Sequence, residues 1–257
     1  MSGSIIDFHV HPFLKHENNF CGYKSACPMD AKQVKEQLSA LGVGTICGSV
    51  VAHAGCWEEI AELNEQALEI KRLYGEFYVP GFHIHPDFVE QSVAEVARMA
   101  GLGVKLIGEL VPYMHGWKMY HPGLVPILEA AQHHGMVVSF HSTAVEDEVM
   151  EPLLTRFPKL TFVAAHPGEK EAFVRHLGRM QRHENYYLDL SGRGLGRMGI
   201  LRYGIDRVGK ERFLFGTDFP ICPPAMYISA VEQDWGLTRE EKDAVLFGNA
   251  KRILGMG

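Results

Sequence analysis

Residues 5–11 read IIDFHVH, a short apolar run that ends in two histidines. Such a run predicts a β-strand, and residues two apart on a strand share one face, so His9 and His11 point to the same place. Asp7 lies on that face one step deeper, where its carboxylate could hold a histidine ring in its metal-binding tautomer. The stretch predicts half of a metal site, although two buried, hydrogen-bonded structural histidines would give the same pattern.

Three later apolar runs also end in a residue of metal-ligand type. They are residues 137–141 (VVSFH), 160–166 (LTFVAAH) and 213–218 (FLFGTD), which end in His141, His166 and Asp218. This repetition favours one shared metal site over a set of unrelated polar strand ends.

Strand-like runs alternate with helix-like periodic segments along the chain, which is the pattern of a parallel sheet covered by helices. Eight such pairs predict a single-domain α/β fold, a (β/α)8 TIM barrel over residues 1–257, with its active site at the C-terminal strand ends. The predicted strands are residues 5–9, 43–50, 77–82, 104–110, 136–141, 160–166, 186–190 and 212–217. The predicted helices begin near Asp30, Trp57, Phe88, Pro122, Glu146, Lys170, Gly199 and Thr238.

Composition narrows the class of protein. The chain has 257 residues, of which 46% are hydrophobic and 22% charged, so it can bury the core of one barrel. A formal net charge of -6 and the lack of any Lys/Arg-rich run argue against nucleic acid as a partner. The sequence shows no signal-peptide pattern and no apolar stretch near ~18 residues, so we expect a cytoplasmic protein without membrane association.

The five cysteines argue against a disulfide framework, because their number is odd and Cys47 lies inside a predicted buried strand. Reduced thiols fit an intracellular protein better. Cys21 and Cys27 lie close together in one predicted loop, but no second cysteine pair follows at a structural-zinc spacing. We therefore do not expect a zinc knuckle there.

The barrel prediction brings these distant residues to a common mouth. Neutral imidazoles and carboxylates suit zinc, manganese or iron, and coordination lowers the pKa of a bound water to about 7, which provides hydroxide at neutral pH. Asp218 would be both a ligand and the shuttle that passes the second proton of that water to the leaving group. His166 is a candidate for a further ligand or for an electrophile that polarises a substrate carbonyl.

Glu109 stands near the end of the fourth predicted strand and admits two interpretations. Its carboxylate could bridge two metal ions about 3.5 to 4 Å apart. Alternatively, Glu109 lies in the loop and pairs with a lysine or an arginine. A buried glutamate without a partner would be costly, which favours the functional interpretation.

These motifs resemble the amidohydrolase superfamily, and more narrowly its amidohydrolase 2 branch of metal-dependent hydrolases and decarboxylases. The similar elements occur in the same order over essentially the whole chain. They are Asp7-X-His9-X-His11, His141, His166-Pro-Gly, Asp189-Leu-Ser191, residues 215–220 (FGTDFP) and Asn249-Ala.

The resemblance implies a set of roles. His9, His11, His141 and Asp218 match metal ligands. His166 matches a catalytic histidine in members with one metal and a ligand of the second metal in members with two. Glu109 departs from the one-metal decarboxylases and is similar to a glutamate that bridges two metals in other relatives. The expected cofactor is one or two divalent ions, zinc first, with manganese or iron as alternatives.

Three residues are candidates for substrate binding. Arg193 follows the seventh predicted strand, where its planar guanidinium could hold a substrate carboxylate or carbonyl. His53 and His85 follow the second and third predicted strands and could line the same pocket. Packing or solvated loops are the alternative for each of them.

The sequence therefore predicts an enzyme that acts on a small molecule. The first hypothesis is a metal-dependent hydrolase of a lactone, an amide or an ester. The second is a non-oxidative decarboxylase of an aromatic or unsaturated carboxylic acid. A third, from another class, is a barrel that binds a metal or metabolite without turnover. A homodimer is expected on general grounds.

Overall fold

Eight parallel strands form one sheet in the computed structural model, which describes residues 4–26, 28–142 and 147–256. The strands lie in chain order, and each is hydrogen-bonded to the next. Their bounds are β1 (Ile5–Asp7), β2 (Val43–Gly48), β3 (Tyr78–Phe82), β4 (Leu106–Leu110), β5 (Val137–His141), β6 (Thr161–Ala165), β7 (Tyr186–Asp189) and β8 (Phe213–Leu214). This confirms the predicted TIM barrel.

Backbone hydrogen bonds join the last strand to the first and close the barrel. Phe8 N–H donates to Phe215 O over 2.8 Å, and further along Asp218 N–H donates to His9 O over 2.8 Å. His11 N–H then donates to Phe219 O over 2.7 Å. The predicted ligands at the two ends of the chain are thus neighbours through their own backbones.

Helices follow the strands, as the periodic segments predicted. Within the described residues they are α1 (Ala31–Ala40), α2 (Trp57–Tyr74), α3 (Val89–Gly101), α4 (Leu124–His133), α5 (Asp147–Arg156), α6 (Lys170–Arg182), α7 (Ile200–Val208), α8 (Pro224–Glu232), α9 (Arg239–Asp243) and α10 (Asn249–Leu254). The predicted starts agree to within two residues. The start near Glu146 lies outside the described residues.

Helix α8 was not among the predicted helices, and it lies between β8 and the helix predicted to begin near Thr238. Pro224 is the first residue of the helix, where its missing N–H costs no hydrogen bond. Asp30 caps α1 in a reciprocal capping box with Gln33.

Cys47 is fully buried, as predicted, and the described cysteines Cys21, Cys47, Cys56 and Cys222 are all free thiols. Cys27 lies outside the described residues. None of the described helices is both long and apolar enough to cross a membrane.

The buried side chain of Asn249 fixes the position of β8. Its Nδ2 donates to Phe213 O over 2.8 Å and to Lys210 O over 2.7 Å. Because Phe213 is the first residue of β8, these bonds tie α10 to the strand that leads to Asp218.

We expect Asn249→Ala to lower the free energy of unfolding by about 2 to 3 kcal/mol, since two buried carbonyls lose their donor. Urea denaturation measures the change. The exposed neighbour Lys251 on the same helix provides the control, and Lys251→Ala is expected to stay within about 0.5 kcal/mol. Equal losses in the two variants would contradict the role assigned to Asn249.

Candidate metal centre

The first and last strands bring three predicted ligands together at the mouth of the barrel. His9 Nε2 and His11 Nε2 lie 3.2 Å apart. Asp218 Oδ1 is 3.7 Å from His9 Nε2 and 3.3 Å from His11 Nε2. All three side chains are buried. The shared face predicted for His9 and His11 is therefore present.

Glu109 lies between this trio and two further histidines. Its Oε2 is 3.5 Å from both His9 Nε2 and His11 Nε2. Its Oε1 is 3.1 Å from His141 Nδ1 and 3.6 Å from His166 Nε2. Glu109 is only 4% exposed, and its ion-pair partners among the described residues are imidazoles. The alternative of a loop glutamate paired with lysine or arginine is wrong.

Hydrogen bonds on the outer side of two rings fix which nitrogen faces the centre. His11 Nδ1 lies 3.2 Å from the carbonyl oxygen of Ser49, which can only accept, so the Nδ1 atom carries the proton. His9 Nδ1 donates in the same way to Asp189 Oδ2 over 2.6 Å. When the two rings are neutral, both Nε2 atoms therefore present lone pairs to the centre, which is the arrangement of metal-binding histidines.

The donor set fits a divalent cation. Two imidazole lone pairs and two carboxylate oxygens converge within a few ångströms, and none of these four atoms carries a hydrogen in the ligand-ready form. Two overlapping groups have their candidate ligand atoms within 4.8 Å of one another: His9, His11 and Asp218, and His9, Glu109 and His166. Mixed imidazole and carboxylate ligands suit zinc, manganese or iron.

Protons can occupy the same place when no metal is bound. Burial disfavours the imidazolium of His11, but hydrogen bonds to Asp218 and Glu109 outweigh burial and raise its pKa to about 9. Burial likewise opposes protonation of His9, and the charges of Asp189 and Glu109 nevertheless raise its pKa well above the usual range. The buried carboxylates therefore favour positive charge at the centre, as protons on the two histidines or as a metal ion.

The expected role of Asp7 is wrong, because its carboxylate does not hold a histidine ring. Asp7 Oδ1 accepts a hydrogen bond from Thr217 N–H over 2.9 Å, and its Oδ2 accepts one from Thr217 Oγ1 over 2.6 Å. It ties β1 to the end of β8 one layer below the centre. Burial raises the pKa of Asp7 to about 7 in spite of these bonds.

Asp189 and Ser191 were noted from the sequence as part of a motif, but no role was assigned to them. Asp189 orients His9, and Ser191 Oγ lies 3.0 Å from His9 Nδ1 and 3.1 Å from His166 Nδ1. Ser191 thus lies between the His9 ring, which follows β1, and the His166 ring, which follows β6. The signal was available, since Asp189 lies near the end of the seventh predicted strand and Ser191 directly follows that strand.

Two candidate ligands adopt a left-handed backbone, which is uncommon outside glycine. The φ angles are 72° at His166 and 65° at Asp218. Neighbouring glycines make room for this packing. A Cβ atom at Gly216 would lie 2.8 Å from both Asp189 Oδ1 and His9 Cβ. Strained backbone held by tight packing is typical of functional sites.

The three predicted substrate-binding residues lie in different surroundings. His53 lines a cavity of about 680 Å³ whose described lining includes none of the candidate ligands. Phe20 also lines this cavity, and its ring centroid is 6.4 Å from that of His11. His85 is buried and both ring nitrogens contact backbone groups, which favours a structural role. Arg193 lines a separate, smaller cavity that includes His166.

We predict that Asp189→Asn weakens divalent-metal binding by about 10- to 100-fold, because the change removes the charge that orients His9. Titration with zinc or manganese against a chelating dye measures the affinity. Asp206→Asn makes the same change at an exposed position of α7 and is the control. Unchanged affinity in Asp189→Asn would contradict the proposed orientation of His9.

Metal affinity is expected to rise with pH. Since the pKa of His11 is raised to about 9 in the metal-free protein, the ring holds a proton at pH 7 that an incoming ion must displace. Affinity should increase by up to about tenfold per pH unit for each displaced proton and level off near pH 9. A chelator competition series from pH 6 to 9 tests this, and a flat profile would contradict it.

Comparison with known proteins places this geometry in a family. The model of the amidohydrolase family matches residues 6–256. No curated protein sequence gives a significant match. Among solved structures, 5-carboxyvanillate decarboxylase from Sphingomonas paucimobilis is 16% identical with a TM-score of 0.74, and 99% of each chain is covered. An uncharacterised TIM-barrel protein from Bordetella bronchiseptica is 19% identical with a TM-score of 0.77, and 98% of each chain is covered.

A third structure contains a metal ion. It is dihydroxybenzoic acid decarboxylase from Polaromonas, with bound manganese and the inhibitor 2-nitroresorcinol. It is 15% identical with a TM-score of 0.69, and 99% of this chain and 97% of that chain are covered. Since the family match extends over nearly all of the sequence, the chain belongs to the amidohydrolase 2 branch of the amidohydrolase superfamily.

Proposed function

We propose that the chain is a metal-dependent hydrolase of a small ester, lactone or amide. The observation that carries this proposal is the position of Glu109, whose two oxygens face different sets of imidazoles. One oxygen faces His9 and His11, and the other faces His141 and His166. A carboxylate placed in this way suits a bridge between two cations, which is the arrangement of many two-metal hydrolytic sites.

The proposed ligands are the six residues whose side chains meet at the centre. They are His9, His11, Glu109, His141, His166 and Asp218. When bound, a divalent ion supplies the Lewis acidity that lowers the pKa of a water or polarises a carbonyl. The ion is zinc or manganese in this proposal, and the Polaromonas neighbour with bound manganese supports the second choice.

Asp218 is the proposed proton carrier. Burial opposes its ionisation, but the hydrogen bond from His11 and the charges of His9 and His11 outweigh burial and lower the pKa of Asp218. The carboxylate is therefore ionised at neutral pH and can accept a proton from water. His166 stays neutral there, because burial lowers its pKa, so it can act as a ligand or hold a carbonyl.

The proposed substrate site is the cavity lined by His53 and Phe20. Its volume of about 680 Å³ is within the usual range for small-molecule sites. The lining includes the apolar residues Phe20, Val51 and Met114 and polar residues such as His53. The inhibitor in the Polaromonas structure is also a small molecule. A homodimer and a cytoplasmic location stay predictions.

Non-oxidative decarboxylation is the second candidate. It is supported by the activities of two of the solved neighbours, which act on aromatic carboxylic acids according to their names. The same centre could orient such an acid while Asp218 or His166 delivers a proton to carbon. Release of carbon dioxide separates this reaction from hydrolysis.

The decisive experiment compares metal-free protein with zinc- and manganese-loaded protein on a panel of esters, lactones, amides and aromatic acids. We expect metal-dependent hydrolysis without carbon dioxide release. Asp218→Asn should lower kcat by about 10²- to 10⁴-fold, as expected for loss of a general acid-base group, whereas the surface control Asp206→Asn should not. Carbon dioxide release would favour the second candidate, and inactivity of all loaded forms would refute both.

A further inference from the structure

A second cavity, of about 160 Å³, borders His166 and is lined by three arginines. Arg175 and Arg179 come from α6, and Arg193 comes from the loop after β7. From the sequence, Arg193 was expected to hold a substrate carboxylate or carbonyl. The structure places Arg193 in the lining of a separate cavity, next to one of the proposed ligands. Arg175 and Arg193 are exposed at this cavity, whereas Arg179 is buried.

The backbone holds Arg193 firmly beside His166. Gly168 N–H donates to Arg193 O over 2.9 Å, so the loop after β7 is fastened to the turn after β6. Arg193 stands between Gly192 and Gly194, whose φ angles are 63° and 126°. A Cβ atom at Gly194 would lie 2.9 Å from Pro167 Cβ. The two turns pack too closely to admit larger residues at these positions.

The charges around this cavity favour an anion. Arg175 and Arg179 are four residues apart on one helix, where like charges repel. Arg179 is buried and engaged, with its Nη1 atom 3.2 Å from the hydroxyl of Tyr186. Within the described part of the chain, neither Arg175 nor Arg193 has a side-chain hydrogen bond or an ion pair. The carboxylate in the described lining, Glu169, is paired with Arg197.

We propose that this cavity is a subsite for one carboxylate group, held by Arg175 and Arg193 beside the metal centre. The planar fork of a guanidinium matches the two oxygens of a carboxylate. At roughly 30 Å³ per water, the cavity of about 160 Å³ has room for a carboxylate and several further heavy atoms. The inference rests on the proposed hydrolase, because cleavage of an ester, lactone or amide produces a carboxylic acid at the adjacent centre.

Binding of formate, a small carboxylate probe, tests the subsite without any need for turnover. ¹³C-formate is titrated into metal-loaded and chelator-treated protein, and binding is followed by NMR line broadening. We expect binding in both forms, weakened about tenfold by Arg193→Gln and by Arg175→Gln, since each removes a charged hydrogen-bond donor. Arg72→Gln removes an exposed arginine from the last turn of α2 and is the control.

Two outcomes would overturn the subsite. One is that the Arg175→Gln/Arg193→Gln double variant binds formate as the wild type does. The other is that binding disappears when the metal alone is removed, which would place formate on the metal. Arg193→Lys keeps the charge but loses the fork, and should retain part of the affinity. Thermal melting of each variant shows that the loss is not due to unfolding.

Kinetics with a substrate from the panel identify the source of the carboxylate. If the substrate itself carries the group, Arg193→Gln raises KM for that substrate about tenfold and leaves KM for an uncharged analogue unchanged. If the group is the product acid, the inhibition constant of that acid rises while KM stays constant. No change in either quantity would contradict the proposal. Formate binding by an inactive protein would refute the hydrolase proposal and leave the subsite intact. Hydrolysis without formate binding would refute the subsite and leave the hydrolase proposal intact.

Discussion

Repulsion among buried acceptor atoms is the constraint on which the rest of the structure depends. His9 Nε2 and His11 Nε2 face one another at 3.2 Å, and oxygens of Glu109 and Asp218 lie within 3.7 Å of them. Burial removes the water that would otherwise solvate these atoms. Only a positive charge, a proton or a metal ion, can make such a group stable. Without a metal, a proton on His11 supplies this positive charge, which is why the pKa of His11 is raised.

Hydrogen bonds of the barrel hold these atoms together. Closure between the first and last strands uses the backbone of the ligands themselves, since Asp218 N–H donates to His9 O. One layer below, Asp7 binds the backbone and the hydroxyl of Thr217. The left-handed backbone of Asp218 is therefore held from two sides, and the cost of its conformation is offset by the bonds around it.

His166 joins two compartments of opposite electrostatic character. On one side are the carboxylates of the metal centre, and on the other is the cavity of Arg175 and Arg193. The chain as a whole is acidic, so this cluster of arginines is a local reversal of the net charge. A cation in the centre and a carboxylate in the cavity would complement each other across one imidazole ring. This arrangement suits a site where an acid is formed or bound.

The sequence alone determined the barrel and most of the candidate centre, because periodicity places residues on faces and strand ends converge in a barrel. His9, His11 and Asp218 were predicted from such local patterns. The tertiary structure alone decided that Asp189 rather than Asp7 orients His9, and that Glu109 faces four histidines. Those contacts join strands far apart in the chain, so their distances depend on barrel closure and on the depth of each side chain. A local sequence pattern contains neither the distances between strands nor the depth of a side chain in the barrel.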